Sequence, residues 1–171
     1  MLTDPMPPTP GADTAALVQQ IARTLKARGQ RLVSAESCTG GLVAAACTDL
    51  SGSSDWFERG WVTYSNSAKT ELLGVPADLI AAHGAVSEAV ARAMAVGALA
   101  HAPAHWALAI TGIAGPSGGS ADKPVGTVWL GWATPAAVWA ERHHFSGDRA
   151  QVRQAAVRQA LGGLVQRLTL A

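Results

Sequence analysis

Three side chains in the first half of this chain suit acyl-transfer chemistry. Ser37 lies in Ala35-Glu36-Ser37-Cys38-Thr39-Gly40-Gly41, Tyr64 is the only tyrosine, and Lys69 is one of three lysines set against ten arginines. The chain prefers arginine for positive charge, and with Lys26 and Lys123 reading as surface residues, Lys69 is a candidate for a lysine kept for its chemistry. A lysine releases its proton when buried or crowded by positive charge and an arginine does not, which makes Lys69 a candidate general base for a serine nucleophile. On these residues the chain reads as a serine–lysine hydrolase.

A serine attacking an amide carbonyl needs a turn that presents its hydroxyl, a base, and donors for the oxyanion. If Ser37 closes a strand and a helix follows at once, the N–H groups of Cys38, Thr39 and Gly40 are free donors at the helix's positive end. Gly40-Gly41 then lets a substrate approach the backbone. The plainer alternative is that Ser37 or Thr39 merely caps that helix. Cys38 is a rival nucleophile, because a helix N-terminus favours a thiolate. Lys69 must fall from a pKa of about 10.4 toward roughly 7 to 8 to act as base at neutral pH. With Asn66 as cap, a place in the first helical turn supplies less than about one unit of that shift, and burial must supply the rest. A solvated Lys69 paired with Glu71 or Asp55 is the alternative.

Tyr64 precedes Lys69 by five residues. It can face the same cleft, covering a flat aromatic substrate or joining the proton relay, or it can be half-buried core. Thr111 ends an apolar strand just before a run from Gly112 to Gly119, where backbone amides and the threonine hydroxyl suit phosphate or ribose. No Gly-Lys-Ser/Thr follows, so the run is not a Walker-type loop. Arg149 and Arg153, one turn apart at the start of the terminal helix, place positive charge where the macrodipole disfavours it. Either a substrate phosphate or an ion pair with Asp148 or another acid resolves that conflict. The histidines, His83, His101, His105, His143 and His144, show no metal-ligand spacing, and neither a metal nor a cofactor is expected.

These residues need a sheet to hold them. Leu17, Ile21 and Leu25 recur every fourth residue in a helix capped by Asp13 and ended by Gly29, and Arg31 to Ala35 reads as a strand aimed at Ser37. A buried helix over Thr39 to Leu50, a strand at Trp61 to Tyr64, a short helix capped by Asn66, a turn at Pro76 and a helix from Ser87-Glu88 to about Ala102 follow. Strands at His105 to Thr111, Gly126 to Thr134 and Ala137 to Phe145 come next, the last two a hairpin around Pro135. Val152, Ala156, Ala160, Leu164 and Leu168 then stripe a terminal helix. The order predicts an α/β fold, a three-layer α/β/α sandwich with a mixed sheet, since the hairpin is antiparallel.

The 171 residues, 49% hydrophobic and 15% charged, suit one globular domain over residues 13–171, after a proline-rich tail at 1–12 expected to be disordered. A net charge of +1 without basic clusters argues against nucleic-acid binding. With no apolar run of membrane length and no signal-like start, a cytoplasmic protein is expected. Cys38 and Cys47 form no disulfide framework.

Beyond single residues, an ordered series of blocks runs through the chain. It comprises Ala35 to Gly41, Ser53-Ser54-Asp55-Trp56-Phe57-Glu58-Arg59-Gly60, Val62-Thr63-Tyr64-Ser65-Asn66, His83-Gly84-Ala85-Val86-Ser87, Thr111 to Pro116, Lys123 to Val128 and Phe145-Ser146-Gly147-Asp148-Arg149. The series resembles the CinA C-terminal domain family over about residues 13 to 170. The resemblance implies hydrolysis of nicotinamide mononucleotide to nicotinate mononucleotide and ammonia, an α/β/α fold, and a serine and lysine at Ser37 and Lys69. It also allows a homodimer. Under it, Tyr64 would line the pyridine pocket, and Thr111, Gly112, Arg149 and Arg153 would engage the ribose phosphate of a small nucleotide. Two other readings remain: a nucleotide-binding regulatory module without catalysis, and a serine–lysine hydrolase of another substrate.

Overall fold

The structure, a computed structural model, describes residues 12–171. The proline-rich stretch expected to form a tail therefore lies, except for Ala12, outside the described residues. The helix α1 spans Ala12–Arg28 and starts before Asp13, the residue expected to cap it. The strand β1 (Leu32–Glu36) follows, then α2 (Leu42–Thr48), a 3-10 turn at Ser53–Asp55, and β2 (Phe57–Val62). Three helices come next: α3 (Asn66–Leu73), α4 (Ala77–His83) and α5 (Glu88–Ala100). The chain closes with β3 (Trp106–Gly112), β4 (Thr127–Ala133), β5 (Val138–His144) and α6 (Arg149–Leu170).

The five strands stand in the order β2-β1-β3-β4-β5. β1 pairs parallel with β2 and with β3, whereas β3–β4 and β4–β5 are antiparallel, so the sheet is mixed as expected. β1 is buried along its whole length, which suits a central strand covered on both faces. On one face Val18, Ile21 and Leu25 of α1, Val43 and Cys47 of α2 and the stripe Val152, Ala156, Ala160, Leu164 and Leu168 of α6 form a single core with Leu108, Ile110 and Leu130. On the other face Leu73, Ile80, Val90 and Met94 pack on Val33, Ala35, Ala107 and Ala109. A side chain buried as fully as Ile21 or Leu25 contributes roughly 1.5–3 kcal/mol, so these two apolar faces hold the layers together.

Three local expectations shift. Pro76 opens a helix, α4, rather than a bare turn. The cap of α3 is Ser65, whose hydroxyl accepts from the Ala68 N–H, and Asn66 becomes the first helical residue. α2 is shorter than expected because Gly40 and Gly41, at φ of +57° and +107°, turn the chain before the helix can begin.

Candidate active site

Ser37, Tyr64 and Thr111 all sit at the carboxyl ends of the three parallel strands. Ser37 immediately follows β1, Thr63 and Tyr64 follow β2, and Thr111 and Gly112 end β3. In open α/β sheets that edge is where ligands bind. A cavity of about 240 Å³ opens there, and Ser37, Cys38, Tyr64, Asn66, Lys69, Thr111, Gly112 and Arg149 are among the residues that line it. A larger groove of about 390 Å³ between α3 and α4 shares Asn66 but contains neither Ser37 nor Lys69.

Lys69 enters from the second layer. Its α3 backbone lies on the sheet face opposite α2, and its side chain is only 1% exposed. Its Nζ lies 3.0 Å from Ser37 Oγ, 2.9 Å from the Thr63 carbonyl and 3.2 Å from the Tyr64 carbonyl. Among the described residues no carboxylate pairs with it; Asp55 lies 3.7 Å from Lys26 instead. The solvated, ion-paired alternative is therefore overturned. Burial, opposed weakly by the neighbouring Cys38, holds the Lys69 pKa below the ordinary lysine value.

The three acceptors around Nζ have a chemical consequence. An ammonium has three donors, enough for both carbonyls and the serine oxygen. A neutral amine has two donors and a lone pair; if the carbonyls take the donors, the lone pair faces the serine hydroxyl. The same heavy-atom arrangement thus accommodates both members of a proton transfer between Ser37 and Lys69.

The turn after Ser37 differs in part from expectation. The Gly40 N–H donates to the Ser37 carbonyl at 3.1 Å, so Gly40 is not a free oxyanion donor. Among the described residues neither the Cys38 N–H nor the Thr39 N–H meets a protein oxygen. Cys38 does not favour a thiolate either. Burial pushes its thiol pKa up to about 11, although its own N–H and the nearby Arg153 oppose the shift. Desolvation exceeds the pull of the local amides and charge, which removes Cys38 as a rival nucleophile at neutral pH.

Tyr64 is 61% exposed, two residues past its strand rather than within it. Its carbonyl, not its hydroxyl, touches Lys69; the phenol oxygen accepts from Arg149 Nη2 at 3.3 Å. Arg149 Nη1 also donates to the Gly115 carbonyl at 2.9 Å, bringing the glycine-rich run to the mouth of the cavity. Neither Arg149 nor Arg153 pairs with Asp148, whose carboxylate instead caps α6 by accepting from the Gln151 N–H. Arg153 reaches the Cys38 and Thr39 carbonyls and is not among the residues lining the cavity. The Thr111 hydroxyl donates to the Ala85 carbonyl at 2.9 Å.

Glu36 is the residue that reading the sequence missed. Its carboxylate, 1% exposed, accepts from the Thr39 hydroxyl at 2.7 Å, the Val43 N–H at 2.9 Å and the Ala44 N–H at 3.1 Å. A carboxylate at the end of the uncharged run Leu32-Val33-Ser34-Ala35, seven residues before an amide at the start of the next helix, was the available signal. Among the described residues no three His, Cys, Asp or Glu side chains gather in a metal-holding group, and no helix is long and apolar enough to cross a membrane.

Fold and site together define an α/β/α domain with a buried lysine held against a serine at the carboxyl edge of a mixed sheet. The chain belongs to the CinA C-terminal domain family, whose model matches residues 14–168. It is 54% identical over 151 residues to the nicotinamide-nucleotide amidohydrolase PncC of Escherichia coli strain K12, covering 88% of this chain and 92% of that protein. A Pseudomonas putida protein of the same name is 50% identical over 150 residues, covering 88% and 94%. The crystal structure of a competence/damage inducible protein, CihA, from Agrobacterium tumefaciens superposes with a TM-score of 0.90 at 43% identity, over 96% of this chain and 99% of that one.

Proposed function

We propose that this chain is a nicotinamide-nucleotide amidohydrolase that converts nicotinamide mononucleotide to nicotinate mononucleotide and ammonia, with Ser37 as nucleophile and Lys69 as base. The observation that carries the reading is the 3.0 Å contact between Ser37 Oγ and a buried lysine that has no counter-ion among the described residues. The substrate comes from the relatives' names.

In the first step neutral Lys69 takes the Ser37 proton as Oγ bonds to the carboxamide carbon, and the carbonyl oxygen becomes an oxyanion facing the Cys38 amide. Collapse breaks the carbon–nitrogen bond, and the Lys69 ammonium returns its proton to the departing nitrogen, which leaves as ammonia. Water then attacks the ester, giving a proton to Lys69. The acyl–oxygen bond breaks and Ser37 recovers its proton, leaving the acid product. Each cycle consumes one water and no cofactor.

The cavity of about 240 Å³ falls below the roughly 300–1,000 Å³ of pockets that enclose a whole drug-sized ligand. The pyridine carboxamide enters, Tyr64 covers the ring, and the ribose phosphate stays at the mouth near Thr111, Gly112 and Arg149. Ammonia release from nicotinamide mononucleotide, measured for wild type, Ser37→Ala and Lys69→Ala, tests the assignment. Activity retained by either variant removes the dyad.

A further inference from the structure

We propose that Arg153 and Glu36 are positioning residues that clamp the loop after Ser37 from two sides and thereby aim the oxyanion-binding Cys38 amide, neither of them touching substrate. The inference rests on the amidohydrolase reading above and goes beyond it in reassigning Arg153. Arg153 Nε donates to the Cys38 carbonyl at 3.0 Å and Nη2 to the Thr39 carbonyl at 3.3 Å. On the other side the buried Glu36 carboxylate holds the Thr39 hydroxyl and the first amides of α2.

Peptide planarity turns these grips into control of direction. In a trans peptide the carbonyl of one residue and the N–H of the next belong to one rigid plane and point opposite ways. Arg153, by fixing the Cys38 carbonyl, fixes the Thr39 N–H. The Gly40 N–H, by holding the Ser37 carbonyl at 3.1 Å, fixes the Cys38 N–H in the same manner. Thr39 is fully buried and does not line the cavity, so its anchored peptide is the strut behind the donor that does reach the cavity, the Cys38 N–H. Glu36 keeps the loop from rotating by tying Thr39 to the start of α2. Donors aimed before the oxyanion forms need no reorganisation during the reaction.

A phosphate ligand and a positioning residue leave different kinetic traces. With nicotinamide mononucleotide as substrate, Arg153→Ala is expected to lower kcat about 100-fold, the scale of one misplaced oxyanion donor, and to leave KM within about twofold. Added guanidinium ion restores part of that kcat, and Arg153→Lys, which keeps one donor, falls between. Arg149→Ala, at the cavity mouth, raises KM instead. A rise in KM with unchanged kcat for Arg153→Ala would make Arg153 a phosphate ligand and overturn the proposal, as would no change in either constant. Amide hydrogen exchange over residues 37–41 reads the clamp without turnover. Protection lost there in Arg153→Ala, with α1 and β3 unaltered, supports it, and unchanged protection sinks it. Should wild type release no ammonia, the amidohydrolase reading fails by itself and the exchange result still decides the clamp. Glu36→Gln, which offers one acceptor oxygen instead of two, is expected to show the same local loss of protection.

Discussion

Lys69 Nζ lies 3.0 Å from Ser37 Oγ, although 32 residues separate them and they approach from different layers of the sandwich. Burial of that lysine, with no carboxylate partner among the described residues, favours its neutral form, the form the proposed dyad requires. Lys69→Arg keeps a cation of similar reach but one that does not release its proton. Ammonia release is expected to fall by about 10²- to 10⁴-fold, the range of a lost general base, while far-ultraviolet circular dichroism stays at wild type. An active Lys69→Arg enzyme would assign the base to another group.

The pH dependence follows from the direction of the Lys69 shift. The active form is the neutral amine, so kcat/KM rises as pH climbs through the Lys69 pKa, and burial places that rise below the ordinary 10.5. A pH–rate profile for ammonia release that falls with rising pH across this range contradicts the assignment.

Stability carries the same shift with a definite sign. Between the lowered folded-state pKa of Lys69 and the unfolded value near 10.5 the unfolded chain binds more protons, so stability rises with pH. The cost of burying the ammonium is felt in full below the folded-state value and vanishes above 10.5. Lys69→Met lacks that cost. Its thermal stability relative to wild type is therefore expected to be most favourable at low pH and to decline as pH increases, and melts at stepped pH showing a constant difference would count against a buried charge.

Cys38 touches the cavity yet is expected to be silent. With its thiol pKa raised to about 11, iodoacetamide at neutral pH leaves it unmodified, and Cys38→Ala keeps ammonia release within a few-fold. Rapid alkylation of Cys38, read by mass spectrometry against the buried Cys47, would show a thiolate that burial does not allow.

The placement of Lys69 depends on a close helix contact. A Cβ at Gly97 of α5 would collide with the Leu73 carbonyl oxygen of α3, the helix that carries Lys69. Gly97→Ala is expected to cost about 1–3 kcal/mol through overpacking, seen as a lower denaturation midpoint, and to reduce kcat as α3 is displaced. An unchanged midpoint would mean that the two helices separate freely.

Local pattern was enough to find every strand and every helix but α4, because each is written in neighbouring residues. The four-residue recurrence from Val152 to Leu168 marks α6, and all five of those residues are buried. The small, glycine-containing turn after β1 marks Ser37. Boundaries moved where two neighbours compete for one role, as when Ser65 rather than Asn66 caps α3. Arg149 and Arg153 looked equivalent in sequence, one turn apart. In the fold one meets Tyr64 at the cavity mouth and the other grips the Cys38 carbonyl, 115 residues away.

By itself the sequence determined the order of strands and of every helix but α4, the mixed sheet, and the residue types capable of serine–lysine chemistry, since periodicity and turn-forming residues act over a few positions. Only the tertiary structure decided that Lys69 is desolvated, that Glu36 and Arg153 hold the loop, and that Gly40 spends its N–H within the chain. Those properties depend on which distant groups share a hydrogen bond or exclude water from one another, and that is set by how the layers pack.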